Sequence, residues 1–135
     1  ATDIDTDALA IAAAGQYPLT RLSPLSLDQK RRFFLRGRGA QDGEAKVRPE
    51  LAARVRFQPW NLLNAQPPRW RDIDVVFCRN VMIYFDKGTQ ARILDRFAPL
   101  LKHDGLLFAG HSESFSYISD RFRLRGQTVY TLADR

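Results

Sequence analysis

The sequence holds little sulfur and little histidine. One cysteine, Cys78, excludes an internal disulfide; with no Cys-x-x-Cys pair and only two histidines, His103 and His111, the ligand spacing of a structural metal site is missing. No apolar run approaches the roughly 20 residues that span a bilayer, and the amino end lacks the basic-then-apolar order of a secretory signal. The expectation is a soluble, cytoplasmic protein with no metal and no membrane insertion. Eight glycines and seven prolines in 135 residues are too few for a collagen-like or linker chain, whereas 44% hydrophobic and 27% charged residues suit a globular domain. Such a length gives one core, burying about two thirds of the open-chain surface. An initiator methionine is also lacking. The opening Ala1-Thr2-Asp3-Ile4-Asp5 reads as the tail of a buried strand, so a fragment of a longer protein is expected.

What is present in excess is positive charge. The formal charge is +6, and the segment from Lys30 to Arg56, with nine Lys or Arg against three acids, accounts for all of it. A basic stretch of this kind suits an acidic partner; the alternative is a solvated face with none.

Asp5 or Thr6 can cap a helix over Asp7 to Ala14, which Gly15 would end as a left-handed residue. Gln16 to Pro24 reads as a connection. From Leu25 to Leu35 the positions Leu27, Phe34 and Leu35 predict a second helix beside Lys30, Arg31 and Arg32. The turn-rich Arg36 to Gly43 leads into Ala45 to Arg48, where apolar and basic residues alternate, and a hairpin is the expected shape. Arg54 to Leu62 alternates again, predicting a strand that ends in a loop with Pro67 and Pro68. Ile73 to Cys78 is a nearly continuous apolar run, the pattern of a central parallel strand covered on both faces. Ile93, Leu94, Phe97, Leu100 and Leu101 predict a helix over Thr89 to Lys102, kinked by Pro99 and ended by Gly105. Leu106 to Gly110 follows as a second buried strand, and this β-α-β order implies a right-handed crossover. Arg121 to Leu132 reads as an antiparallel hairpin turning at Gly126-Gln127.

In an open α/β sheet, ligands bind outside the carboxyl ends of the strands. Here those ends carry Asp3, then Asn61 and Leu62, then Arg79 and Asn80, then His111, Ser112 and Glu113. A carboxylate in that place can accept two hydrogen bonds from the vicinal hydroxyls of a ribose, which points toward a nucleoside cofactor. It can equally cap a helix, and Asp5 competes with Asp3 for either role.

These residues carry a resemblance. Asp3-Ile4-Asp5-Thr6, Asn61-Leu62-Leu63, the run from Phe77 through Arg79-Asn80 to Tyr84-Phe85-Asp86, the run from Asp104 through Gly110-His111-Ser112-Glu113, and the closing Leu124 to Tyr130 resemble the CheR family of chemotaxis receptor glutamate methyltransferases. The resemblance covers essentially the whole chain. It implies a class I methyltransferase fold, a Rossmann-like and mostly parallel α/β sheet with an antiparallel last hairpin, truncated at its amino end. Residues 1–135 would form the carboxyl-terminal part of that domain, with an inserted β-subdomain at 16–51. The implied cofactor is S-adenosylmethionine, leaving as S-adenosylhomocysteine, with Asp3 at the ribose, Asn61 and Leu62 near the adenine, and Arg79 with Asn80 beside the methionine end. Tyr84 matches a family tyrosine near the transferred methyl, and Arg79 with Tyr84 are the implied catalytic pair. The implied partner is the cytoplasmic domain of a chemotaxis receptor and, in some members, its carboxyl-terminal pentapeptide. Arg36, Arg38 and Arg48 on the basic insertion are the candidates for holding that peptide. The family's glycine-rich cofactor loop and amino-terminal helical domain would lie before Ala1, so the chain alone is expected to hold the cofactor weakly and to be a poor enzyme by itself.

Methyl transfer to a carboxylate needs no general base, because a glutamate with a pKa near 4.3 is ionised at neutral pH. Positioning can supply about 7 to 11 kcal/mol of such a barrier. For Tyr84 the alternative is an aromatic core residue beside Phe85. His111 reads as a loop histidine donating to carbonyls, and Cys78 as a small packed residue. Methylation of base nitrogens would want Asn or Asp before two prolines and an aromatic, where this chain has Arg79-Asn80-Val81-Met82. Two rival readings are a noncatalytic peptide-binding module and a nucleic-acid binder; few aromatics interleave with the arginines, which disfavours the second.

Overall fold

The computed structural model describes residues 1–64, 66 and 68–133, so Pro67 of the expected loop lies outside the described residues. The chain divides into two compact units, Ala1–Asn61 and Leu62–Arg135, each considered by itself.

The first unit opens with β1 (Thr2–Asp3) and α1 (Thr6–Ala14). Asp5 is the helix cap, its carboxylate accepting from the N–H of Asp7 at 2.9 Å and of Ala8 at 3.1 Å. Gly15 closes the helix at φ 61, a left-handed conformation in which a Cβ would crowd the backbone. There follow β2 (Gln16–Pro18), α2 (Leu27–Phe33), β3 (Phe34–Arg36), β4 (Glu44–Val47), α3 (Pro49–Ala52) and β5 (Gln58–Pro59). β2, β4 and β3 form an antiparallel sheet in that order, so the expected hairpin is present, with Arg36 opposite Ala45.

Four expectations for this unit need correction. The connection from Gln16 contains a strand, tolerable because Pro18, which has no N–H to give, sits at the end of an edge strand. The second helix stops at Phe33, a capping box between Ser26 and Gln29 having fixed its start; Phe34 and Leu35 turn extended because pairing with β4 overrides a weak helical stripe. Of Arg54 to Leu62 only Gln58 and Pro59 pair, in parallel with β1. A ladder that short buries little, which is why the opening strand is not buried: Asp3 is exposed and Ile4 is 68% exposed.

The second unit contains β6 (Ile73–Phe77), α4 (Lys87–Phe97), β7 (Leu101–Phe108), β8 (Phe122–Gly126) and β9 (Val129–Leu132), its sheet ordered β6-β7-β9-β8. β6 and β7 are parallel; β9 is antiparallel to β7 and to β8, giving the expected terminal hairpin, with Gln127 at φ 50 in its turn. Met82, Ile93, Leu94, Leu107, Phe115 and Tyr130 are fully buried and make the core.

Two expectations fail here. β6 is an edge strand within this unit, and Phe77 is 71% exposed with one face stacked on Phe108 at 4.8 Å. The helix ends at Phe97; Pro99 lies in a following 3-10 turn, and Leu101 already begins β7. Gly105 is therefore no helix stop. It sits inside β7 where the register with β6 jumps, and a Cβ there would lie 2.9 Å from the Lys102 carbonyl oxygen and 3.0 Å from that of Ile73. No described helix is long and apolar enough to cross a membrane.

Candidate functional site

In the first unit, the parallel pairing of β1 with β5 sets Asp3 opposite Pro59, and the Trp60 N–H donates to the Asp3 carbonyl at 3.0 Å. Asp3 and the half-buried Asn61 thus stand at the carboxyl ends of neighbouring strands. The competition between the two aspartates is resolved: Asp5 caps α1, while Asp3 accepts from the Asp5 N–H through Oδ1 at 3.0 Å and stays exposed.

The three-stranded sheet carries the basic residues. Arg36, Arg38 and Arg48 line one open groove of about 760 Å³ together with Leu22, Phe34 and Leu35. Arg36 lies 3.9 Å from Asp42, an exposed pair of little energetic weight, and Arg48 donates through Nη2 to the Arg31 carbonyl at 3.2 Å. The groove is lined by both apolar and cationic side chains, a combination that suits an acidic peptide with apolar side chains.

In the second unit, Leu62 is half-buried and its carbonyl accepts from Arg96. β6 ends at Phe77; Cys78 is buried, and Arg79 and Asn80 are exposed just beyond it. Burial, with a smaller contribution from the nearby Glu113 carboxylate, pushes the Cys78 thiol up to about 12, so it stays protonated and packs as a small apolar residue. Asn80 has φ 58, the left-handed region that asparagine tolerates better than most residues. Tyr84 is 80% exposed, which removes the core-aromatic alternative. His111 and Ser112 are exposed at the carboxyl end of β7.

The residue whose part sequence reasoning missed is Glu113. It is 6% exposed, and its carboxylate accepts from the N–H groups of Gly110, Asn80, Val81, Met82 and Ile83. The Gln90 carboxamide holds the other side of the same segment, donating to the carbonyls of Met82 at 2.8 Å and Phe85 at 2.9 Å. Asp86 then caps α4, accepting from the Thr89 N–H and hydroxyl, bonds that hold its carboxyl below the ordinary value of 3.8. Gly110 leaves room for this arrangement: a Cβ there would fall 2.4 Å from Asn80 Oδ1 and 2.8 Å from Glu113 Oε2. The available signal was Gly110-x-x-Glu113 directly after a buried strand, with an acid where the chain turns inward.

Comparison with known proteins places this geometry in context. Residues 1–131 match the family described as CheR methyltransferase, SAM binding domain. The chain is 61% identical over 132 residues to the chemotaxis protein methyltransferase of Klebsiella aerogenes and 55% identical over 133 residues to that of Escherichia coli, covering 98% of this chain and 46% of each relative. It is 51% identical over 133 residues to chemotaxis protein methyltransferase 2 of Pseudomonas aeruginosa, covering 48% of that protein. The chain therefore spans about half the length of the curated relatives it matches.

Proposed function

The chain belongs to the CheR methyltransferase family, and on that premise we propose that it is part of an enzyme transferring methyl groups from S-adenosylmethionine to glutamate carboxylates of chemotaxis receptors, giving methyl esters. The observation that supports this most directly is the family match running through both strand-end clusters, Asp3 with Asn61 and Arg79 with Asn80. Their chemistry suits the cofactor: an exposed carboxylate for a ribose diol, a carboxamide for a base edge, and a guanidinium with a carboxamide for an amino-acid end. The absence of a side chain at Gly110 lets the strand end pack directly against Asn80 and Glu113, which sets where the Asn80 carboxamide stands.

When bound, S-adenosylmethionine supplies a methyl group on a sulfonium, open to in-line displacement. The residues of this chain bind and orient. Asp3 takes the ribose hydroxyls, Asn61 and Leu62 border the adenine, and Arg79 and Asn80 hold the methionine end. The exposed Tyr84 and Arg79 align the incoming glutamate, which arrives ionised and needs no proton removed. The buried, protonated Cys78 takes no part. Residues 16–51 form the docking element for the receptor.

Calorimetric titration of the chain with S-adenosylhomocysteine is expected to give a weak but saturable one-to-one isotherm, and Asp3→Ala to weaken it further by about 1 to 3 kcal/mol, the cost of leaving polar partners unpaired. No heat from the unsubstituted chain would favour a peptide-binding module without cofactor; equal affinity for both proteins would remove Asp3 from the ribose.

Charge reversal at Arg36, Arg38 and Arg48 is expected to weaken association with an acidic receptor-tail peptide by tenfold or more at low salt, about the effect of like-charge juxtaposition at an interface rim. Fluorescence anisotropy at two salt concentrations checks this. Affinity that is the same for both proteins at both concentrations would assign these basic residues to solvent.

A further inference from the structure

We propose that Glu113 is a positioning residue for the segment after β6: its buried carboxylate sets the backbone of residues 80–83 and thereby aims Arg79, Asn80 and Tyr84. The parallel pairing of β6 with β7 brings the two strand ends together although Asn80 and Glu113 lie 33 residues apart. Oε1 collects the N–H groups of Val81 at 3.0 Å, Met82 at 2.8 Å and Ile83 at 3.3 Å, while Oε2 collects those of Asn80 and Gly110. Every one of these partners is a donor. An ionised carboxylate offers acceptors alone, whereas a carboxamide would turn an NH2 group toward N–H groups that need an acceptor.

The burial makes this arrangement consequential. A carboxylate removed from water is costly unless hydrogen-bonded, and N–H groups at the start of the turn from Met82 to Tyr84 have no partner within the turn itself. Each satisfies the other. Gln90 grips the carbonyls of Met82 and Phe85, so the segment that begins at the left-handed Asn80 is held by two anchors, neither of which belongs to the exposed residues read as binding groups. Gly110 is required by the same construction, since any side chain there would displace Glu113 Oε2 and Asn80 together.

The cofactor arm of this inference rests on the reading of Arg79 and Asn80 given above, and the experiment separates the two. In the 15N-labelled chain, Glu113→Gln is expected to speed amide exchange at Asn80, Val81, Met82 and Gly110 by about tenfold or more, the effect of losing a charged acceptor, while Leu106, Leu107 and Tyr130 keep their protection. S-adenosylhomocysteine affinity should fall by about tenfold or more in parallel. Unchanged exchange at residues 80–83, a uniform loss across the sheet, or loosened amides with undiminished affinity would each overturn the proposal. If the variant does not fold, the unsubstituted chain decides: scalar couplings across hydrogen bonds from the Glu113 carboxyl carbon to the amide nitrogens of Val81 and Met82 are expected, and their absence overturns it. If the unsubstituted chain gives no heat with S-adenosylhomocysteine, the cofactor reading fails while the exchange and couplings still judge Glu113.

Discussion

Gly110→Ala is expected to destabilise the second unit by about 1 to 3 kcal/mol, the usual penalty of forcing a methyl into filled space, and to weaken S-adenosylhomocysteine binding at least tenfold. The added Cβ would meet Asn80 Oδ1 at 2.4 Å, Glu113 Oε2 at 2.8 Å and Asn80 N at 2.9 Å. The Asn80 nitrogen and the Glu113 carboxylate cannot yield cheaply. Moving Glu113 breaks a set of buried hydrogen bonds, and moving Asn80 shifts backbone already held in the left-handed region. Gly126→Ala is the matched control, because a Cβ there meets nothing within 4 Å, and its effect should stay within about 0.5 kcal/mol. Urea unfolding of the two variants checks the contrast: the midpoint falls for Gly110→Ala at unchanged slope and holds for Gly126→Ala. Equal midpoints would mean that the strand end relaxes around the methyl.

Much of this was legible in the sequence wherever one residue type solves one local problem. Asp5 before an alanine-rich run and Gly15 after it mark both ends of α1, because caps act within a turn of their own position. The terminal hairpin was readable for the same reason, with Gly126-Gln127 between two alternating runs. The misreadings arose where distant partners decide. Phe34 and Leu35 fit a helical stripe, yet β4 offered them backbone partners and made them a strand. Leu100 and Leu101 also continue the helical spacing of α4, but Pro99 breaks the ladder and pairing with Ile73 takes Leu101. Gly105 has the look of a helix terminator and is in fact the residue that lets β7 pass close to the Ile73 carbonyl. At the candidate site, Asp3, Asn61, Arg79 and Asn80 could be named because strand ends are predictable. Glu113 could be placed at a strand end but given no role, since four of its five donors lie in another part of the chain and depend on the β6-β7 register.

Phe115→Ala should have the largest effect of all, removing cooperative unfolding from the second unit. Truncating a buried phenylalanine costs about 3 to 5 kcal/mol, which matches the whole stability that a core of about 70 residues supplies. Phe115 is 1% exposed, packs on Tyr130 with ring centres 5.1 Å apart, and donates its N–H to the Tyr130 hydroxyl at 3.1 Å. It is also the inner anchor of the stretch from Gly110 that carries Glu113, so its loss frees the carboxylate from the N–H groups of residues 80–83. Tyr130→Phe dissects the two contributions. It keeps the ring contact but leaves the Phe115 N–H buried without its acceptor, for about 1 to 3 kcal/mol. The expected order in circular dichroism melts is a lowered but cooperative transition for Tyr130→Phe and a shallow, sloping one for Phe115→Ala. A cooperative melt for Phe115→Ala near the original midpoint would show that the stretch carrying Glu113 is held by its hydrogen bonds to residues 80–83, with the aromatic pair contributing little.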